Sequence, residues 1–142
     1  MGFSVSAAAA IIGVTLIMAV GSLTAELLPS LTETNDSFAS MKERAIARVQ
    51  TDIAIKNVST PANGSNYDLN FIVENMGSVT LKTGYFTILI NGTQYHYSST
   101  SDYLYLTGEV NFSITNLSGS GTRRLKVITE NGIATYYDYT IT

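Results

Sequence analysis

His96 is the one histidine in a chain of 142 residues, and it stands between Tyr95 and Tyr97. A general base needs a group that orients it, and a metal site needs several ligands. With no cysteine and no second histidine, the sequence lacks material for thiol catalysis, for disulfides and for a multi-histidine metal centre. Asp68, Asp102 and Glu109 have no spacing that would pair them, and neither a phosphate-binding loop nor a nucleophile elbow occurs. The sequence therefore predicts a protein that is not an enzyme and needs no metal and no cofactor.

Two other residue classes carry a signal. Asn-x-Ser/Thr sequons begin at Asn35, Asn57, Asn63, Asn91, Asn111 and Asn116. Chance pairing of the Asn with the Ser and Thr of this composition would give about 2.3. The excess predicts N-glycan acceptors on an outward-facing surface. The nine tyrosines are the second class, and there is no tryptophan. Tyr95, Tyr97, Tyr103, Tyr105, Tyr136, Tyr137 and Tyr139 fall at strand positions. In a doublet such as Tyr136-Tyr137, at least one ring must face away from a core. Tyrosine combines apolar area with a polar tip, which suits a protein contact. Tyr95, Tyr97, Tyr103, Tyr105, Tyr136 and Tyr137 are the candidate interface. A homodimer is expected through a sheet edge or an exposed Tyr face, in residues 85–97 or in the terminal hairpin.

Two kinds of element must position these residues. The first is a membrane segment. No charged side chain occurs before Glu26, and residues 3–25 are long enough to cross the roughly 30 Å of bilayer hydrocarbon. No basic residue precedes the run, which is also longer than the core of a cleaved signal. A membrane anchor is therefore expected, with small residues Ala9 and Gly13, and Gly21 and Ala25, four apart. Leu27, Leu31, Thr34, Phe38, Met41 and Ala45 then follow 4-3-4-3-4 spacing, the stripe of an amphipathic helix, with Pro29 placed to kink it.

After Asp52 the period changes to two. Leu69, Phe71 and Val73 alternate with Asn70, Ile72 and Glu74, and Val110, Phe112 and Ile114 with Asn111, Ser113 and Thr115. Asn91-Gly92 and Asn131-Gly132 are type I′ hairpin signals, pairing 85–90 with 93–97 and 123–130 with 133–141. Asn63-Gly64 is expected in a longer loop, 60–66. Further strands are expected at 52–58, 67–75, 79–82, 103–107 and 109–115. The predicted organisation is a transmembrane helix (1–28), an amphipathic helical stalk (29–51) and an extracellular, immunoglobulin-like antiparallel β-sandwich (52–142), mainly β overall.

Lys and Arg number 8 against 11 Asp and Glu, a net charge of −3, and 13% of residues are charged. Phosphate binding needs clustered cations, so no nucleic-acid partner is expected. The composition, 45% hydrophobic, also argues against a disordered chain.

The opening Met1-Gly2-Phe3-Ser4-Val5-Ser6-Ala7, running straight into the apolar helix, resembles the FlaF (ArlF) family of archaellum accessory proteins. The amphipathic stretch before Thr51-Asp52-Ile53, the turn Val73-Glu74-Asn75-Met76-Gly77-Ser78 and the segment from Arg124 to Gly132 extend the likeness over nearly the whole chain. The resemblance implies a single-pass protein of the cell membrane with its β-sandwich in the archaeal pseudoperiplasm. There it would bind the S-layer protein, pair with the sister protein FlaG and act as a stator of the rotary archaellum. The alternative is an archaellin or type IV pilin-like filament subunit, whose N-terminal helix packs in a filament core. Such subunits are made with a basic residue before their cleavage site, and nothing basic precedes Met1-Gly2 here.

Overall fold

The computed structural model describes residues 2–141, which fall into two compact units that part between Glu43 and Arg44. The first unit is helix alone. It belongs to α1, which runs from Gly2 to Val49 and continues through Pro29. No residue of α1 is buried, and among the described residues α1 is the one helix long and apolar enough to cross a membrane. Several of its hydroxyls are bonded within the helix. Ser6 donates to the Gly2 carbonyl at 3.0 Å, Ser22 to Met18 at 2.9 Å, and Thr15 and Thr24 to carbonyls three and four residues back. Lipid offers no hydrogen bonds, so internal pairing of this kind suits a spanning helix.

The second unit is a two-sheet sandwich. Its strands are β1 (Ile53–Ser59), β2 (Ala62–Asn63), β3 (Asn66–Asn75), β4 (Leu81–Lys82), β5 (Thr87–Ile90), β6 (Thr93–Gln94), β7 (Ser98–Ser99), β8 (Tyr103–Leu104), β9 (Glu109–Leu117), β10 (Gly121–Ile128) and β11 (Ala134–Ile141). One sheet has the order β1-β3-β9-β7, with β2 on β3; the other has the order β11-β10-β5-β6. Every pairing is antiparallel. This is the immunoglobulin-like arrangement, A-B-E-D facing G-F-C-C′.

The period-two pattern explains the core. β3 alternates strictly between buried and half-buried positions, with Leu69, Phe71 and Val73 inward. Val110, Phe112 and Ile114 of β9 meet them, and Ile88, Ile90, Leu125 and Val127 come from the other sheet. Phe112 stacks between Phe71 and Phe86 at centroid distances of 5.5 and 5.7 Å. Truncating so central a ring to alanine costs on the order of 3–5 kcal/mol.

The two Asn-Gly hairpins close differently. Asn91 and Gly92 both have positive φ (49° and 87°), as a type I′ turn requires, and Ile90 pairs with Thr93. Between β10 and β11, Gly132 has positive φ but Asn131 is absent from that group. The expected I′ turn is there a three-residue loop closed by Gly132 N–H to Thr129 and Thr129 N–H to Ile133. The reason is tertiary: Asn131 Nδ2 donates to Thr51 Oγ1 at 2.8 Å.

Other boundaries also move. The expected loop at 60–66 holds a tight hairpin, Asn63 pairing with Asn66 around Gly64 (φ 64°). The expected strand at 93–97 ends at Gln94, and β7 joins the opposite sheet. Tyr97 lies in this crossing, its hydroxyl placed between the Thr83 and Phe86 carbonyls at 2.6 and 2.8 Å. The segments expected at 79–82 and 103–107 supply β4 and β8, which pair only with each other.

Candidate protein interface

The six candidate tyrosines separate into three groups. Tyr95 and Tyr97 are half-buried and pack against the core, Tyr97 tilted on Phe112 at 5.5 Å. Burial raises the Tyr97 hydroxyl pKa, although its bond to Phe86 works the other way. These two rings support the sandwich and present little surface. Tyr139 is buried, its hydroxyl 3.0 Å from that of Tyr67. Burial, then that bond, raises its pKa far above the ordinary tyrosine value.

Tyr103 and Tyr105 form the second group. Their rings stack at 6.1 Å and both are exposed, next to exposed Leu106. Lys82 pairs across from Tyr103, and its ammonium lies 6.0 Å from the centre of the Tyr85 ring. Tyr85 is the most exposed of the aromatic residues in the sandwich at 69%; the strand expected from residue 85 begins only at Thr87, and Tyr85 sits in a 3-10 turn (Thr83–Tyr85).

Tyr136 and Tyr137 form the third group, on β11, at 57% and 40% exposure. Lys126 Nζ stands 5.2 Å over the Tyr136 ring, a cation–π contact. Beside it, Arg124 donates from Nε and a terminal nitrogen to both Asp138 oxygens at 2.7 and 3.0 Å. This fork lowers the Asp138 pKa and raises that of Arg124. Leu89, Lys126, Tyr136, Arg124, Asp138 and Asn91 line an open groove of about 540 Å³ on the outer face of this sheet.

All six sequon asparagines are exposed. Asn57, Asn63, Asn111 and Asn116 lie on or beside the β1-β3-β9 sheet, Asn91 in the turn after β5 and Asn35 on α1. Asn57, Asn91 and Asn116 have positive φ, a conformation that asparagine tolerates better than most residues. His96 is exposed, and among the described residues no three His, Cys, Asp or Glu are placed to hold a metal ion.

A feature that spacing did not reveal lies where α1 ends. Met76 and Gly77 amides donate to the Asp52 carbonyl at 2.9 and 3.1 Å, and the Ser78 amide to Gln50 at 2.9 Å. Asn75, fully buried, holds the turn: Nδ2 donates to the Val79 and Leu104 carbonyls, and Oδ1 accepts the Gly77 amide at 3.0 Å. The turn is thus bonded to the chain as it leaves the helix.

The fold is shared with archaellum proteins. A chain of the archaellum periplasmic stator protein complex FlaF and FlaG from Sulfolobus acidocaldarius matches 61% of this chain and 87% of its own length, at TM-score 0.50 and 17% identity. The archaeal flagellum of Methanospirillum hungatei strain JF1 matches 92% of this chain and 93% of its own, at TM-score 0.58 and 16% identity. No protein-family model matches the sequence, and neither does any curated protein.

Proposed function

We propose that this protein is a FlaF-like, membrane-anchored component of the archaellum, and that its β-sandwich binds the S-layer and resists rotation of the motor. The observation that carries the reading is one architecture with two ends. A helix with no buried residue, uncharged up to Glu26, leads into an immunoglobulin-like sandwich whose fold also occurs in the stator complex of FlaF and FlaG. The opening heptapeptide points the same way. The M. hungatei likeness extends over the helix, but a helix joined to a β-domain is common to an anchor and to a filament subunit.

The mechanical argument concerns torque. A rotor in a fluid bilayer turns its own surroundings unless something external holds the static part. One lipid-embedded helix diffuses freely, whereas a stiff sandwich bound to a rigid lattice does not. In this reading residues 3–25 lie in the membrane, the sandwich faces the pseudoperiplasm, and a FlaG protein is a second partner.

Apolar and hydrogen-bonding area should dominate the S-layer contact, because the sandwich spends much of its charge internally. Lys56 pairs with Glu74 and Glu109, and Arg124 with Asp138. Exposed Tyr85, Tyr103, Tyr105 and Leu106 supply contact area. The test is co-sedimentation of the detergent-solubilised full chain with isolated S-layer at low and high salt. Binding at both salts is expected, with screening exerting little effect. Absence of binding at both, together with recovery of the protein along purified filaments, would replace this reading with that of a filament subunit.

A further inference from the structure

We infer that the outer face of the β11-β10-β5 sheet is a saccharide site, and that its ligand is a short sugar chain bearing carboxylates, as uronic acids do.

The face is laid out in two cross-strand rows. In the first, Lys126 stands opposite Leu89 on one side and Tyr136 on the other, so an aliphatic side chain, an ammonium and an exposed ring lie abreast. Two residues along, Arg124 stands opposite Asp138, and the Asn91 side chain accepts the Arg124 amide. The two rows floor the open groove of about 540 Å³, a volume within the range of small-ligand sites. Gly92 lies at its rim, and nothing stands within 4 Å of where a side chain would be.

Each row suits one side of a sugar. A pyranose has a flat C–H face, which packs on Leu89 and on the electron-rich face of a tyrosine ring. Its hydroxyls and carboxylate need polar partners already held in place. The fork to Asp138 fixes the Arg124 guanidinium through Nε and Nη2, and among the described residues Nη1 makes no bond to the protein. Lys126 pairs with no carboxylate among the described residues. Charge selects an acidic ligand. Residues 52–142 carry five Lys and Arg against seven Asp and Glu, whereas the two rows hold Arg124 and Lys126 against Asp138 alone. A peptide is the poorer fit. β10 lies between β11 and β5, and β5 between β10 and β6, so the backbone groups of both strands are taken up in the sheet and offer a peptide chain no partners.

This inference does not depend on the archaellum reading, and Tyr85, Tyr103, Tyr105 and Leu106 do not line the groove. The probe is trigalacturonic acid, titrated calorimetrically into the detergent-solubilised full chain, beside uncharged galactotriose and the acidic peptide triglutamate. Saturable binding of trigalacturonic acid is expected, weakened by salt, with the other two several-fold weaker. Lys126→Gln and Tyr136→Ala should each weaken it several-fold at an unchanged melting temperature, and Tyr136→Phe, which keeps the ring, should retain it. Lys82→Gln removes the cation beside Tyr85, outside the groove, and should have no effect. No saturable binding of trigalacturonic acid, or an equal loss with Lys82→Gln, overturns the proposal. Equal binding of triglutamate would replace it with an acidic-peptide surface, and equal binding of galactotriose with a neutral-sugar site.

Discussion

The Gln50 carbonyl accepts the Ser78 amide at 2.9 Å, and the approach is possible because residue 77 between them in space has no side chain. A Cβ built on Gly77 would collide with that carbonyl oxygen and stand 2.7 Å from the Asp52 amide nitrogen and 3.1 Å from Thr51 Cα. All three are backbone atoms and cannot rotate aside. Gly77→Ala should destabilise the sandwich by about 1–3 kcal/mol, the usual cost of overpacking. Thermal denaturation of the full chain, followed by near-ultraviolet dichroism, measures it. An unchanged midpoint would mean that the two segments do not meet as described.

Asn75 governs the same turn from within. It is buried and bonds to two carbonyls and one amide. Asn75→Ala removes the donor to the Val79 and Leu104 carbonyls, while the Gly77 amide keeps its bond to Asp52, and a buried unsatisfied group costs about 1–3 kcal/mol. A loss larger than that of Gly77→Ala is expected in urea unfolding. Asn75→Asp keeps the acceptor but turns a carboxylate oxygen toward the Val79 and Leu104 carbonyls. It should be less harmful in mild acid, where a protonated carboxyl can donate, than at neutral pH.

The alkaline limb of stability should belong to Tyr139. Burial, with the bond to Tyr67, raises its folded pKa above the unfolded value of about 10. Tyr97 shifts in the same direction. A raised folded pKa contributes stability that is fully present below the unfolded pKa and is lost as pH rises through the folded one. Absorbance titration should therefore show Tyr139 ionising only as the sandwich unfolds. Tyr139→Phe should flatten stability above pH 10. At the acid end the sign reverses for Asp68, whose pKa is lowered by the Asn116 amide and then by Asn63. Its contribution is present above the unfolded pKa near 4 and fades as pH falls below it.

How much of this the sequence disclosed depended on distance along the chain. The core strands were readable, because Leu69-Phe71-Val73 and Val110-Phe112-Ile114 alternate within a few residues. The Asn91-Gly92 turn was readable for the same reason, since both positions supply their own left-handed conformation. Asn131-Gly132 carries the same letters, yet the Asn131 side chain bonds Thr51, 80 residues away in sequence, and the turn takes another form. The Gly77 approach was hidden because its partners are backbone atoms of Gln50 and Asp52, and backbone carbonyls leave no mark in a sequence. The candidate interface was half visible. Alternation selected Tyr103, Tyr105, Tyr136 and Tyr137, which are exposed, but also Tyr95 and Tyr97, which support the core, and it read as strand the 3-10 turn that exposes Tyr85.

The sequons and the helix together give a prediction about topology. If α1 spans the membrane and the sandwich lies outside, protease added to intact cells after removal of the S-layer should degrade residues 52–142 and spare the helix. Full protection of the sandwich would invert the orientation. Glycan occupancy provides a second readout, because an acceptor must reach the transferase on the outer side of the membrane. Asn111 and Asn57 lie on the same sheet and are exposed. Asn91 and Asn116 use their side-chain oxygens as acceptors, for the Arg124 amide and Asn66 Nδ2. Those bonds leave Nδ2, the atom that a glycan would modify, free to react. Asn63 is different, because its Nδ2 donates to Asp68 at 2.9 Å. Mass spectrometry of peptides from protein purified from its native cells should therefore find Asn57 and Asn111 occupied more fully than Asn63. Occupancy greatest at Asn63 would contradict the ranking, and no occupancy at any of the six would remove the sequons as support for an outward-facing sandwich.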